Sequence, residues 1–199
     1  MGHDTDAASG LLQRAMEHST IAFSNMVNEK VTLTSFTANL SDYQNINYAM
    51  GLKFTAPYFL LITPLKGELT GKSLLVISPE EANKLFKSFL HQEPPQDLSM
   101  LSEMQRAVLL ELDNILSASV VTELANALNK KVYGDVPELK IIEGDITELM
   151  KVFFQDTFHH PVYEINASFE TSSNRIALHF VWLFNQDFFN ALKDSSVHR

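Results

Sequence analysis

What most constrains this 199-residue chain is that one order of elements occurs twice along it. Residues 7–29 have helical spacing, with Leu11, Leu12, Ala15, Ala22, Phe23, Met26 and Val27 forming an apolar stripe. Val31–Phe36 then alternates with the period of two that a half-buried strand requires. Pro57–Thr63 and Ser73–Ile77 read as strands flanking a turn around Gly67–Gly71. Ser78-Pro79-Glu80-Glu81 opens a helix reaching about Leu90, with a capping side chain, proline in the first turn and acids at the positive dipole end. After the break at His91–Gln96 the succession returns. A long helical stretch covers about Leu98–Lys131, a short strand Leu139–Ile142, and a further helix starts at Asp145 or Thr147. A hairpin follows, Val162–Thr171 and Arg175–Phe184 joined across Ser172-Ser173-Asn174, and a short helix begins at Asp187.

The register of the two passages is visible in the residues. Asn28-Glu29-Lys30-Val31 and Asn129-Lys130-Lys131-Val132 stand at an offset of 101, where Leu11 also faces Leu112 and Val27 faces Leu128. Shared element order with few identities predicts two pseudo-equivalent α/β halves. Each hairpin alone would be marginal in water, so the halves are expected to form one compact unit.

Composition narrows the function. A net charge of −9 argues against a nucleic-acid backbone as partner, which would need clustered lysine and arginine. With no cysteine, disulfides, thiol catalysis and thiolate-ligated zinc are excluded. The amino-terminal residues lack the basic and apolar regions of a secretory signal, and Asp6 breaks the myristoylation pattern. No apolar run approaches the roughly 20 residues of a membrane helix, so a cytoplasmic protein without membrane insertion is expected.

Several apparent motifs fail on physical grounds. Gly67-Glu68-Leu69-Thr70-Gly71-Lys72-Ser73 imitates a P-loop but has three residues, not four, between its glycines. It also lies between strands, where no helix N-terminus can gather N–H groups on a phosphate. A hairpin turn accounts for it. His159-His160-Pro161 places adjacent imidazoles on opposite sides of an extended segment, so a surface or strand-entry role is expected rather than metal binding. No Gly-x-Ser-x-Gly elbow supports acyl transfer.

One helix face remains. Glu111 and Asn114, three apart, are neighbours on the long helix, with Ala107, Ala118, Thr122 and Ala125 around them. Leu109, Leu112, Leu116, Val120 and Leu124 form the opposite, core-facing stripe. Small side chains around a carboxylate and an amide would let another protein approach closely. Taken alone, the pattern is also accounted for by a solvated face, although asparagine is not a favoured residue inside a helix.

These residues resemble the CheC/CheX/FliY phosphatase family, whose pattern is Asp or Ser, three residues, Glu, two residues, Asn, twenty-two residues, Pro. Glu111, Asn114 and Pro137 fall at the matching positions, and the strand–turn–strand–helix passage Leu61–Leu85 is similar too. The resemblance implies a CheC-like fold of the α/β (α+β) class: a pseudo-two-fold arrangement of two α-β-β halves, with long helices packed on antiparallel sheet. The halves would be residues 1–92 and 97–199, approximately. It implies a phosphatase of a CheY-type phosphorylated response regulator, with Glu111 and Asn114 as catalytic residues. Asn114 would orient the attacking water, and Glu111 would pair with a lysine of the regulator. No cofactor of its own is implied, since the receiver domain would bring Mg²⁺. The alternative is a non-catalytic module docking a regulator, a CheD-like protein or flagellar switch components, and a homodimer is left open. Ala107 departs from the pattern's Asp or Ser. Asp113 replaces the usual glycine before Asn114 and falls on the apolar side of the helix, with Ser117 one turn later as a candidate partner. In the first half Asp6, Gly10, Gln13 and Phe36 occupy the equivalent positions and only Asp6 agrees, which implies a degenerate site.

Overall fold

The computed structural model describes residues 2–41, 58–91, 100–142, 162–172 and 174–197. The elements are α1 (Gly2–Val27), β1 (Thr32–Ser41), β2 (Tyr58–Gly67), β3 (Gly71–Ile77), α2 (Pro79–Leu90), α3 (Glu103–Leu128), β4 (Val132–Gly134), β5 (Glu138–Ile142), β6 (Val162–Glu170), β7 (Arg175–Phe184) and α4 (Gln186–Val197). Among the described residues the strands form one antiparallel sheet in the order β1-β6-β7-β3-β2, with β4 and β5 sharing the outer edge of β2.

Alternation sorts the sheet residues. Phe59, Leu61, Leu75, Ile77, Phe169, Phe180 and Trp182 face one apolar cluster, which the inner stripes of the four described helices complete through Leu12, Met16, Phe23, Leu85, Leu112, Leu116 and Phe188. Leu60, Leu74, Val76, Val181 and Leu183, pointing the other way, are buried as well. The fold is therefore the expected α+β arrangement of long helices on antiparallel sheet.

Capping chemistry sets the helix ends. Ser78 caps α2 by accepting from the Glu81 N–H, with Pro79 at the first position. The long helix α3 is shorter at both ends than the periodicity predicts. It starts after Ser102, where Ser102 and Gln105 form a reciprocal capping box, and stops at Asn129. Asn28 and Asn129, which align between the two passages, both take a left-handed backbone, with φ of 55° and 50°.

The glycines of the apparent P-loop have packing roles. Gly67 has φ 113°, and a Cβ there would lie 2.2 Å from the Lys131 carbonyl oxygen. The β2–β3 turn meets the α3–β4 connection at this point, through Glu68 N–H to Lys131 O and Lys131 N–H to Glu68 Oε2, each 2.8 Å. A Cβ at Gly71 would lie 2.1 Å from the Leu183 carbonyl oxygen, in the β3–β7 ladder.

Two further features differ from the sequence expectation. The strand β4 has only three residues, too few to display a period. The strands also cross between the passages: β1 pairs with β6 of the second, while β5 pairs with β2 of the first. The helix expected from Asp145 or Thr147, the histidines His159 and His160, and most of the break at His91–Gln96 lie outside the described residues.

Candidate functional site

The helix α3 is anchored by Leu109, Leu112, Leu116, Val120 and Leu124, all at most 1% exposed. At about 100° per residue this turns Ala107, Glu111, Asn114, Ala118 and Thr122 to solvent, and all five are exposed. Glu111 and Asn114 thus lie side by side on the outer face of α3. Among the described residues neither side chain is tied into a hydrogen bond or ion pair, so both remain available to an incoming molecule.

The other wall of the site comes from the turn between β4 and β5. Gly134, Asp135, Val136 and Pro137 face Ala107, Leu110, Glu111 and Asn114 across an open cavity of about 500 Å³. The turn is tied to β2 by the Asp135 N–H, which donates to the Pro64 carbonyl at 2.8 Å, and by the Lys66–Asp135 ion pair. The Lys66 ammonium and the Val136 N–H hold the Asp135 carboxyl below the usual carboxylate range. Pro137, the distant member of the sequence pattern, therefore lines the same cavity as Glu111 and Asn114. Sequence reasoning did not single out Leu110 or Gly134–Val136. The spacing to Pro137 was the available signal, since it points across the connection that holds them.

Beneath the site lies a polar cluster. Asp113 is fully buried; its Oδ2 accepts from Thr63 Oγ1 at 2.5 Å and its Oδ1 from Ser117 Oγ at 3.3 Å. Ser117 lies in turn 3.4 Å from Ser73 Oγ. Burial raises the Asp113 pKa from 3.8 to about 6, against the two hydroxyl bonds that favour the charged form. Ser117 is the partner the helical register points to. Thr63 and Ser73 were not foreseen, because nothing local pairs a strand hydroxyl with a carboxylate fifty residues away.

The corresponding face of α1 differs. Gln13 donates to Glu17 of its own helix at 3.0 Å, Gly10 offers no side chain and Phe36 packs against the core. The side chain of Asp6 lies outside the described residues. A separate cavity of about 250 Å³, lined by Ser78, Glu81, Asn166 and His179 among others, lies over β6 and β7. Burial lowers the His179 pKa to about 4; Nδ1 meets Asn166 Oδ1, and among the described residues Nε2 has no hydrogen-bond partner.

No family model matches the sequence. It is 25% identical over 180 residues to the CheY-P phosphatase CheC of Bacillus subtilis (strain 168), covering 88% of this chain and 85% of that protein. In fold it is similar to FliY of Thermotoga maritima, with a TM-score of 0.69, 13% identity and coverage of 98% and 96% of the two chains. A chain of the FliG–FliM complex from H. pylori is similar with a TM-score of 0.66, 10% identity and coverage of 96% and 99%. CheX from Desulfovibrio desulfuricans follows at 0.50, 13% identity and coverage of 88% and 99%. The fold is thus CheC-like, shared with FliY, with a chain of the FliG–FliM complex and with the chemotaxis protein CheX. Similar in sequence to CheC, and in fold to FliY and CheX, the chain resembles the CheC/CheX/FliY family along nearly its whole length. No helix among the described residues is long and apolar enough to cross a membrane.

Proposed function

We propose that the chain is a phosphatase that removes the aspartyl phosphate of a CheY-type phosphorylated receiver domain, in chemotaxis or a related two-component pathway. The observation that carries this is the unheld pair Glu111 and Asn114, standing together on α3 across a cavity from Pro137. A receiver docking on this face would bring its phosphoryl group, and the Mg²⁺ it carries, to the pair. The Asn114 amide would hold a water in line with phosphorus, a contribution of position rather than of a nucleophile. Glu111 would pair with a lysine of the receiver and hold Asn114 in register. Water adds to phosphorus, the aspartate carboxylate leaves, and inorganic phosphate is released. The B. subtilis relative's name, a CheY-P phosphatase, supports the reading.

A second reading is favoured by Ala107, which removes one polar member of the family pattern. On that reading the chain is a docking module for a receiver, a CheD-like protein or a flagellar switch component. Neighbours solved as FliG–FliM and FliM–SpeE complexes show the fold in protein assemblies. The two readings separate in one assay, phosphate release from a purified phospho-receiver with the wild-type chain and with Asn114→Ala. Catalysis predicts acceleration by the wild type and a loss of about 100-fold in the variant. Equal rates with both would overturn it, and binding without acceleration would establish the docking reading.

A further inference from the structure

We propose that Asp113, which stands where the resembled family has glycine, is a positioning residue for Asn114: by gripping Thr63 it references both walls of the cavity to one residue of β2. The inference rests on reading Glu111 and Asn114 as the working pair.

The grip is unusual for its surroundings. Apart from Asp113, Ser117 and the capping Gln105, the buried residues of α3 are leucine and valine, whose contacts tolerate small rotations and slides of the helix. A carboxylate in that layer is costly unless its oxygens are matched. Here each oxygen is matched, by Thr63 of β2 and by Ser117 one turn along α3, with Ser73 of β3 directly behind. Thr63 and Ser73 are cross-strand partners in the β2–β3 ladder, so one polar cluster joins three elements. Hydrogen bonds are directional where apolar contacts are not. Rotating α3 by about 20° around its axis would break the Asp113–Thr63 bond. It would also move an amide about 6 Å from that axis by about 2 Å. A displacement of ~1 Å at a positioned group can cost ~100-fold in rate.

Thr63 carries the second limb. A Cβ on Gly134 would sit only 3.2 Å from Thr63 Cγ2, so the threonine methyl lies against the turn that forms the opposite wall. The next residue, Pro64, accepts the Asp135 N–H that ties down the same turn. A threonine has few χ1 choices. Holding its hydroxyl on Asp113 therefore also fixes where its methyl meets Gly134. The separation between Asn114 and Pro137 is set through this one side chain.

The test compares Asp113→Gly, Asp113→Asn, Thr63→Val and the Gly/Val double variant in the full chain. Phosphate release from a phospho-receiver is read beside the side-chain amide resonances of Asn114 in the free protein. Asp113→Gly and Thr63→Val are expected to lower kcat about 10-fold or more, with KM changed less than 3-fold. The double variant is expected to be no slower than either single one, because both remove the same bond. Asp113→Asn keeps length and hydrogen bonding and should stay within about 3-fold of wild type. Asn114 should give one sharp amide pair in the wild type and in Asp113→Asn, and averaged signals in the other variants. Asp113→Gly at wild-type speed, or Asn114 signals identical in all variants, would overturn the proposal. If the wild type does not accelerate phosphate release, the phosphatase reading has failed, and the Asn114 resonances alone then decide for or against the grip.

Discussion

Replacing Asp113 by asparagine should stabilise the folded chain, and more so the higher the pH. The side chain is fully buried, and its pKa is raised from 3.8 to about 6. The folded state therefore binds more protons than the unfolded state between these values, and the carboxyl's contribution to stability falls as pH rises through that window. At 1.36 kcal/mol per pH unit, the ionised carboxyl costs about 3 kcal/mol at pH 7.5. At pH 5, where the folded group is mostly protonated, the same linkage leaves roughly half of that. An isosteric amide has no such dependence. The wild-type curve alone would hide the effect, because His179 works in the opposite direction. Its pKa is lowered to about 4 from 6.5, so the folded state loses stability as pH falls through that range. The difference between Asp113→Asn and wild type removes the histidine contribution, which both share. Urea unfolding at several pH values should show the advantage of the variant shrinking by roughly half between pH 7.5 and pH 5. A difference independent of pH would refute the reasoning, because it would mean that burial does not disfavour the charged carboxylate in the folded chain.

Other expectations follow from the same structure. His179→Gln should lose less stability than wild type on acidification, by about 3 kcal/mol between pH 6.5 and pH 4, read by the same urea titrations. Gly67→Ala forces a Cβ to within 2.2 Å of the Lys131 carbonyl at a φ of 113°, and should cost roughly 2–4 kcal/mol in denaturant unfolding. Leu112→Ala leaves a cavity under the site and should cost about 2–5 kcal/mol in the same measurement. Glu111→Ala, which changes an exposed side chain, should leave thermal stability within about 0.5 kcal/mol while raising the receiver concentration needed for half-maximal phosphate release.

The elements legible in the sequence were those with local causes. Ser78-Pro79 marked the start of α2 because capping is chemistry within four residues, and the β6–β7 hairpin was set by alternation on either side of a polar turn. The outer face of α3 was likewise legible, since an anchored leucine stripe dictates what the far side presents. What escaped depends on contacts distant in the chain. The strand β4 exists because Leu65, Lys66 and Gly67 offer an edge to Val132–Gly134, not because its three residues prefer extension. Asp113 looked misplaced on its helical wheel because Thr63, the hydroxyl that answers it, arrives from another strand. The wall of the candidate site at Gly134–Val136 was hidden for the same reason.

The crossing of strands in the sheet has a consequence for how the chain can be divided. With β1 on the β6–β7 hairpin of the second passage and β5 on the β2–β3 hairpin of the first, neither passage holds a complete half of the sheet. Expressed separately, the two passages would each expose an unpaired hairpin edge and a long helix without its partner. Mixed, they should find each other, since every missing strand is carried by the other piece. Cut between the passages, the protein should reassemble from its two pieces, while neither piece should fold alone.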